Sequence, residues 1–196
     1  MRFILLSLVM LLLFSCGEEL VKTPKPRMYP RVIFPKQAYE PFLLDVCNFT
    51  FEKPAYAKIK SGIEFFGEKS SHPCWFDLQL EDFGGAIHFS YNSIDATNSL
   101  DKLISDAFRI VEQHNSKAEY RNEIRIENKN GVNGLLFRLE GPVASPINFF
   151  LTDTTQHFVR ASLYFNTAVD PDSIAPVLDF VSKDIDRILG SFEWKD

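Results

Sequence analysis

Three cysteines, Cys16, Cys47 and Cys74, and four histidines, His72, His88, His114 and His157, hold most of the reactive chemistry open to this 196-residue chain. Cys16 closes an apolar run, in Leu13-Phe14-Ser15-Cys16, where a small residue before a thiol is the pattern needed for diacylglyceryl transfer to sulfur and cleavage. Several acyl chains on one residue, each buried CH₂ adding about 0.8 kcal/mol, anchor a protein almost irreversibly. Cys47 and Cys74 remain. In an oxidising compartment such a pair usually becomes a disulfide, and closing a loop of about 28 residues would contribute roughly 3–4 kcal/mol. A metal site would have only His72 near Cys74 and nothing similar beside Cys47. Two free thiols are the third possibility.

No strong catalytic motif accompanies these residues. The chain has no G-x-S-x-G elbow, no H-E-x-x-H, no Gly-rich phosphate loop and no C-x-x-C. Ser145, His157 and Asp153 can be picked out as a Ser–His–Asp set, but any chain of this size offers one. His114 falls at a helix end, where a cation suits the dipole. No reaction, metal or cofactor is therefore expected. Gly141-Pro142-Val143-Ala144-Ser145-Pro146 reads as a rigid loop between two apolar strands, suited to binding or to a plain corner.

The leader sets the compartment. Arg2 precedes an apolar run, Phe3 to Phe14, too short for a bilayer span of about 20 residues and suited to a signal peptide. Residues 1–15 are thus expected to be removed as a lipoprotein signal peptide, with Cys16 the lipidated first residue. Pro24, Pro26, Pro30 and Pro35 then forbid helix and favour extended geometry. Residues 16–27 form a tether able to hold a domain some 35 Å off the lipid, and one globular domain runs over 28–196. About 180 mature residues suit a single core, and 19 phenylalanines make that core aromatic. The chain carries −5 and the leader holds only Arg2, leaving −6 and no basic stripe for nucleic acid.

Period-two runs predict strands around Cys47–Phe51, Cys74–Leu80, Ile87–Tyr91, Glu123–Glu127, Leu135–Glu140, Ile147–Thr152 and His157–Asn166. Asp82-Phe83-Gly84-Gly85 and Asn130-Gly131 supply hairpin turns. Leu100, Leu103, Ile104, Ala107, Phe108 and Val111 recur at helical spacing, with Asn98 as cap and Asp101 three residues on. A last helix opens at Asp170-Pro171, carries Ile174, Val177, Leu178, Val181, Ile185 and Ile188, and ends at Gly190. Short turns imply an antiparallel sheet with both helices on one face, an α+β fold analogous to the Mog1/PsbP sandwich. Cys74, Phe76, Leu78, Ile87, Phe89, Leu135, Phe137, Leu139, Val159, Ala161 and Leu163 are expected to face the helices. The opposite face would show Trp75, Asp77, Gln79, His88, Arg138, Phe158, Arg160 and Tyr164, a mixture suited to a protein partner. It could equally be solvated, or covered by the segment Tyr29–Phe42.

The chain resembles the gliding-motility lipoprotein family GldD of Bacteroidetes. The resemblance rests on the lipobox, YPRVIFPKQAYEPF, CNFTFEKPAYAKI, CWFDLQL and, most specifically, the block from GPVASPINFFLTDTTQHF through SLYFNT to SFEW. It implies a non-enzymatic envelope protein required for surface gliding and linked to type IX secretion. Its implied partners are other gliding-motility lipoproteins and the envelope gliding and secretion complex. The family's paired cysteines correspond to Cys47 and Cys74, and no catalytic residues are carried over. Glu18 and Glu19 resemble a short acidic tag for surface display, although the periplasmic side of the outer membrane is the favoured location. Asp153-Thr154-Thr155 and Asp172-Ser173-Ile174 resemble that phylum's O-glycosylation sequon, at Thr154 and Ser173. A periplasmic small-molecule or glycan-binding lipoprotein is the alternative, and it would show a deep apolar pocket with converging polar groups.

Overall fold

The computed structural model describes residues 31–62, 64–65, 68–69, 72–166 and 170–195. The leader at 1–15, Cys16, Glu18, Glu19, the tether at 16–27 and the boundary at residue 28 lie outside the described residues. The elements run β1 (Tyr39–Pro41), β2 (Phe49–Thr50), β3 (Glu52–Pro54), β4 (Lys58–Ser61), β5 (Glu64–Phe65), β6 (Glu68–Lys69), β7 (Phe76–Leu80) and β8 (Gly85–Ser93). They continue as α1 (Leu100–Asn115), β9 (Tyr120–Glu127), β10 (Asn133–Glu140), β11 (Ile147–Thr152), β12 (His157–Phe165), α2 (Pro171–Ser191) and β13 (Glu193–Trp194). Seven strands form one antiparallel sheet in the order β4-β7-β8-β12-β11-β10-β9. The remaining strands make small antiparallel pairs, β1 with β3, β13 with β2 and β5 with β6.

The turns follow their chemistry. Between β7 and β8 a short 3₁₀ turn, Glu81–Phe83, ends at Gly84 with φ 58, a left-handed conformation that glycine adopts without a Cβ penalty. Helix α1 is capped by Ser99, not Asn98: the Ser99 hydroxyl accepts from the Lys102 N–H at 3.4 Å. Asp170 and Pro171 open α2 as expected, but the helix passes Gly190 and ends after Ser191. The buried side of α2, Val177, Val181, Asp184, Ile185, Ile188 and Leu189, recurs every three or four residues.

The two helices do not share a face of the sheet, which corrects the expected layering. Val177, Val181, Ile185 and Ile188 of α2 join the larger core with Phe76, Leu78, Ile87, Phe89, Phe149, Ala161 and Leu163. Leu103, Ala107 and Val111 of α1 join a second core with Phe137, Leu139, Phe150 and Phe158, Leu135 packing at its margin. Adjacent residues such as Phe149 and Phe150 point to opposite sides of a strand, so the two cores lie on opposite faces. Register gives the same answer: Asp77, His88, Ser162, Asn148 and Phe137 form one row across the sheet. Leu135, Phe137 and Leu139 therefore face α1, away from Phe76 and Phe89. The physical reason is that β11 is buried at all six positions, the mark of a strand covered on both sides.

The segment after residue 31 packs on the α2 side rather than over the polar face. The Phe34 ring lies 4.9 Å from Phe180 of α2, and Phe42 enters the larger core. A buried carboxylate fastens this segment. Asp184 of α2, 1% exposed, accepts from the Tyr39 hydroxyl at 2.9 Å, the Tyr56 hydroxyl at 2.5 Å and the Gln37 amide at 3.4 Å. Burial raises the Asp184 carboxyl above its ordinary 3.8, and the Tyr56, Tyr39 and Gln37 donors offset only part of that. Burial, reinforced by Asp184, pushes Tyr39 up to about 12, so it stays a donor at neutral pH. Because the folded value of Asp184 is raised, the folded chain holds a proton that the unfolded chain has already released. Stability from this group is full below 3.8 and falls as pH rises toward the raised value. Asp184→Asn removes the effect, so the stability of the variant relative to wild type should rise across that window and level off above it. Urea titrations at several pH values measure it, and a falling difference would contradict the reading.

Candidate functional site

The eight residues expected on one surface separate into four settings. Asp77 and Gln79 of β7, His88 of β8 and Tyr164 of β12 share the α1-side face of the sheet. Phe158 and Arg160 share that face but sit beneath α1: Phe158 is 1% exposed within the second core, and Arg160 lines a small gap with Ala107, Ile110 and Val111. Burial pushes the Arg160 guanidinium down, against the favourable charge of Asp106. Arg138 is on the other face, where it donates to Asp186 of α2 at 2.8 Å. Trp75 precedes β7, packs against the larger core and donates its indole N–H to the Tyr91 carbonyl at 2.7 Å. Arg138, Phe158, Arg160 and Trp75 thus leave the expected partner surface, because alternation within a strand does not say which side a helix will cover.

What stays together is a polar strip on β4, β7, β8 and the end of β12, beside the area α1 covers. Asp77, 4% exposed, accepts from the His88 ring at 2.5 Å and from the Gln79 amide at 3.1 Å. The His88 and Tyr164 rings are 5.3 Å apart, and the Tyr164 hydroxyl meets His114 Nε2 of α1 at 2.9 Å. Burial raises the Tyr164 phenol and lowers the His114 imidazole, which favours the neutral form of both. Lys58 and Lys60 stand opposite Gln79 and Asp77 on β4 and extend the strip with exposed ammonium groups, that of Lys58 ion-paired with Glu81. Sequence reasoning missed these lysines and His114. The alternation Lys58-Ile59-Lys60 carried the signal for the first two, whereas the His114 contact spans 50 positions.

Chemically the strip offers oriented hydrogen-bonding groups and charges of both signs. Asp77 fixes the His88 ring as a carboxylate fixes a general base. Ser162 is the cross-strand neighbour of His88, but it is 8% exposed and shares the gap beneath α1 with Ala107 and Val111, out of reach of a substrate. The other set is dispersed. Ser145, fully buried, donates to Asn148 at 3.0 Å. His157 lies at the far end of β12 with Nδ1 2.6 Å from the Tyr91 hydroxyl. Asp153 serves as a turn carboxylate: burial alone would raise it, but the N–H groups of His157, Gln156 and Thr155 outweigh that and hold it below the usual range.

Cys47 and Cys74 form a disulfide with a Cα–Cα distance of 5.2 Å, so neither thiol remains for a metal with His72. Thr154, in the first sequon, is exposed with φ 68. Ser173, in the second, bonds the Asp170 carbonyl inside the first turn of α2. The Gly141–Pro146 loop borders a cleft of about 430 Å³ whose walls mix Gln113, His114, Ser116 and Lys117 with Pro142, Val143 and Ala144.

The class defined by these features is an α+β domain whose main, seven-stranded antiparallel sheet carries a helix on each face. The fold is similar to the solution structure of cyanobacterial PsbP (CyanoP) from Synechocystis sp., with a TM-score of 0.47 and 11% identity, covering 81% of this chain and 93% of that one. No curated protein matches the sequence. The family model of the gliding motility lipoprotein GldD matches residues 19–194, and the chain belongs to that family. Membership associates it with gliding motility and, as a lipoprotein, with the cell envelope.

Proposed function

We propose that the mature chain is an accessory scaffold of the gliding machinery, linked to type IX secretion and performing no reaction. The observation that carries this reading is the family match over residues 19–194, and the apolar run closing in Leu13-Phe14-Ser15-Cys16 supports a lipoprotein leader before it. Cleavage after residue 15 leaves Cys16 acylated, residues 16–27 act as the tether, and the domain from residue 28 does the docking. The anchor sits in the outer membrane and the domain faces the periplasm. There it meets other gliding-motility lipoproteins and the envelope gliding and secretion complex. The strip of Asp77, Gln79, His88 and Tyr164 is the surface we assign to a protein partner. It combines oriented polar groups with the flanking charges of Lys58 and Lys60, and such complementarity steers association and selects partners.

Deletion of the gene should abolish surface spreading, and a Cys16→Ser copy should fail to restore it. His88→Ala and Gln79→Ala, at half-buried surface positions, should keep the fold yet lose most partner recovery in crosslinking pull-downs from native membranes. Normal spreading in the deletion strain would refute the assignment. Undiminished recovery with both variants would move the docking surface elsewhere.

A further inference from the structure

The two edges of the seven-stranded sheet differ. Strand β4 is four residues long and carries Lys58 and Lys60, the short and charged kind of edge that resists further pairing. Strand β9 is eight residues long, without proline, glycine or a break in its register with β10. Among the described residues nothing pairs with its outer side. Tyr120 is 57% and Ile124 40% exposed along it, so an apolar component accompanies the open backbone edge.

The backbone fixes which residues that edge presents. The Asn128 N–H donates to the Val132 carbonyl at 3.1 Å, on the register that places Glu127 opposite Asn133. In an antiparallel pair, alternate residues turn both backbone groups toward the same neighbour. Even-numbered residues of β9 therefore bond to β10, and Arg121, Glu123, Arg125 and Glu127 turn their N–H and C=O outward. These four outward residues alternate in charge. A sequence reading Arg-x-Glu-x-Arg-x-Glu is complementary to itself when reversed.

We propose that β9 pairs antiparallel with β9 of a second copy of this chain, about a two-fold axis at Ile124. In that register Glu123 lies opposite Arg125 of the second copy and Arg121 opposite its Glu127, so every outward pair joins opposite charges. An axis at Glu123 would set Glu123 against itself and Arg121 against Arg125, and an axis at Arg125 repeats the fault. Like charges directly opposite destabilise a strand pair. An axis at Asn122 or Ile126 restores the signs but shortens the overlap. The Ile124 axis keeps residues 121–127 paired and brings the two exposed Ile124 side chains together. Arg121 is already placed on this face by Glu112 at 2.9 Å, by Glu123 of the same strand at 2.6 Å and by the Phe137 ring, and the Ile124 axis adds a second acidic neighbour, Glu127 of the other copy. The product is a continuous sheet of two seven-stranded halves.

Ile124 occupies a non-hydrogen-bonded position, where opposed Cα atoms lie about 4.5 Å apart, within reach of a disulfide. In native membranes of cells expressing the full chain, Ile124→Cys should give a reducible band of twice the chain mass under mild oxidation, and Tyr120→Cys should not. Adding Glu123→Arg or Arg125→Glu to Ile124→Cys should lower that band roughly tenfold, and carrying both reversals together should restore it. Light scattering of the detergent-solubilised chain, without the added cysteine, should show the same loss and rescue of the dimer. Absence of the Ile124→Cys band, an equal band from Tyr120→Cys, a crosslink to a protein of different mass, or failure of the double reversal to restore pairing would overturn the proposal.

Discussion

Phe42→Ala is expected to cost the fold about 3–5 kcal/mol, the usual range for deleting a buried phenyl ring. Phe42 is fully buried, and its ring lies 4.6 Å from Phe51, 4.6 Å from Phe76 and 5.8 Å from Phe49, all three in stacked orientation. The array continues from Phe76 to Phe89 at 4.8 Å and from Phe49 to Phe192 at 5.0 Å. One ring therefore couples the segment before β2 to the central strands, and its loss leaves flat faces that cannot close the gap. The backbone adds to this: the Phe42 N–H donates to the Phe51 carbonyl at 2.7 Å, and Thr50 donates to the Phe42 carbonyl at 2.8 Å. These bonds hold the alanine in place, so the cavity persists. For a domain of this size the melting temperature should fall by roughly 10 °C. Phe34→Ala, at a ring 38% exposed on Phe180, is the internal comparison and should cost far less. Equal losses from the two variants would mean that the stack does not carry the core.

The elements were legible in the sequence because their signals are local. The helical spacing of Leu100 to Val111 and of Ile174 to Ile188 depends on side chains within a turn or two. Turn residues such as Asn130-Gly131 act within four positions, and the structure has Gly131 at φ 72 in that turn. Which face a strand buries is not local. Leu135, Phe137 and Leu139 alternate as clearly as Ile87 and Phe89, but alternation supplies only the parity of a strand. Pairing with β11 decides that Phe137 lines up with Asn148 and His88. A warning was present in Ile147-Asn148-Phe149-Phe150-Leu151-Thr152, too apolar at both parities for a sheet with one wet face. The candidate site inherited the same uncertainty. Asp77, Gln79, His88 and Tyr164 stayed together because β7, β8 and β12 are neighbours, whereas Arg138 was placed by the strand whose phase was wrong. Asp184 was invisible as a fastening point, since its partners Tyr39 and Tyr56 are 145 and 128 positions away.

Removal of the disulfide, by Cys47→Ser together with Cys74→Ser, is expected to cost about 3.5 kcal/mol, from closing a loop with a sequence separation of 27. Both residues belong to the larger core, at 2% and 1% exposure, so each serine also buries a hydroxyl in apolar surroundings. The bridge joins the loop before β2 to the entrance of β7. β2 is only two residues long and pairs with the equally short β13, so few backbone bonds hold it in position. The Phe49 ring, packed between Phe192 and Trp194, depends on that placement. Loss of the bridge should therefore loosen β2 and β13 before the seven-stranded sheet, whose long strands do not rely on it. Hydrogen exchange on the oxidised and reduced chains can separate the two regions. Faster exchange at Phe49–Thr50 and Glu193–Trp194, with β8, β11 and β12 still protected, is the expected pattern. Uniform acceleration across the sheet would mean instead that the bridge stabilises the whole domain through its unfolded state, with no local duty at this corner.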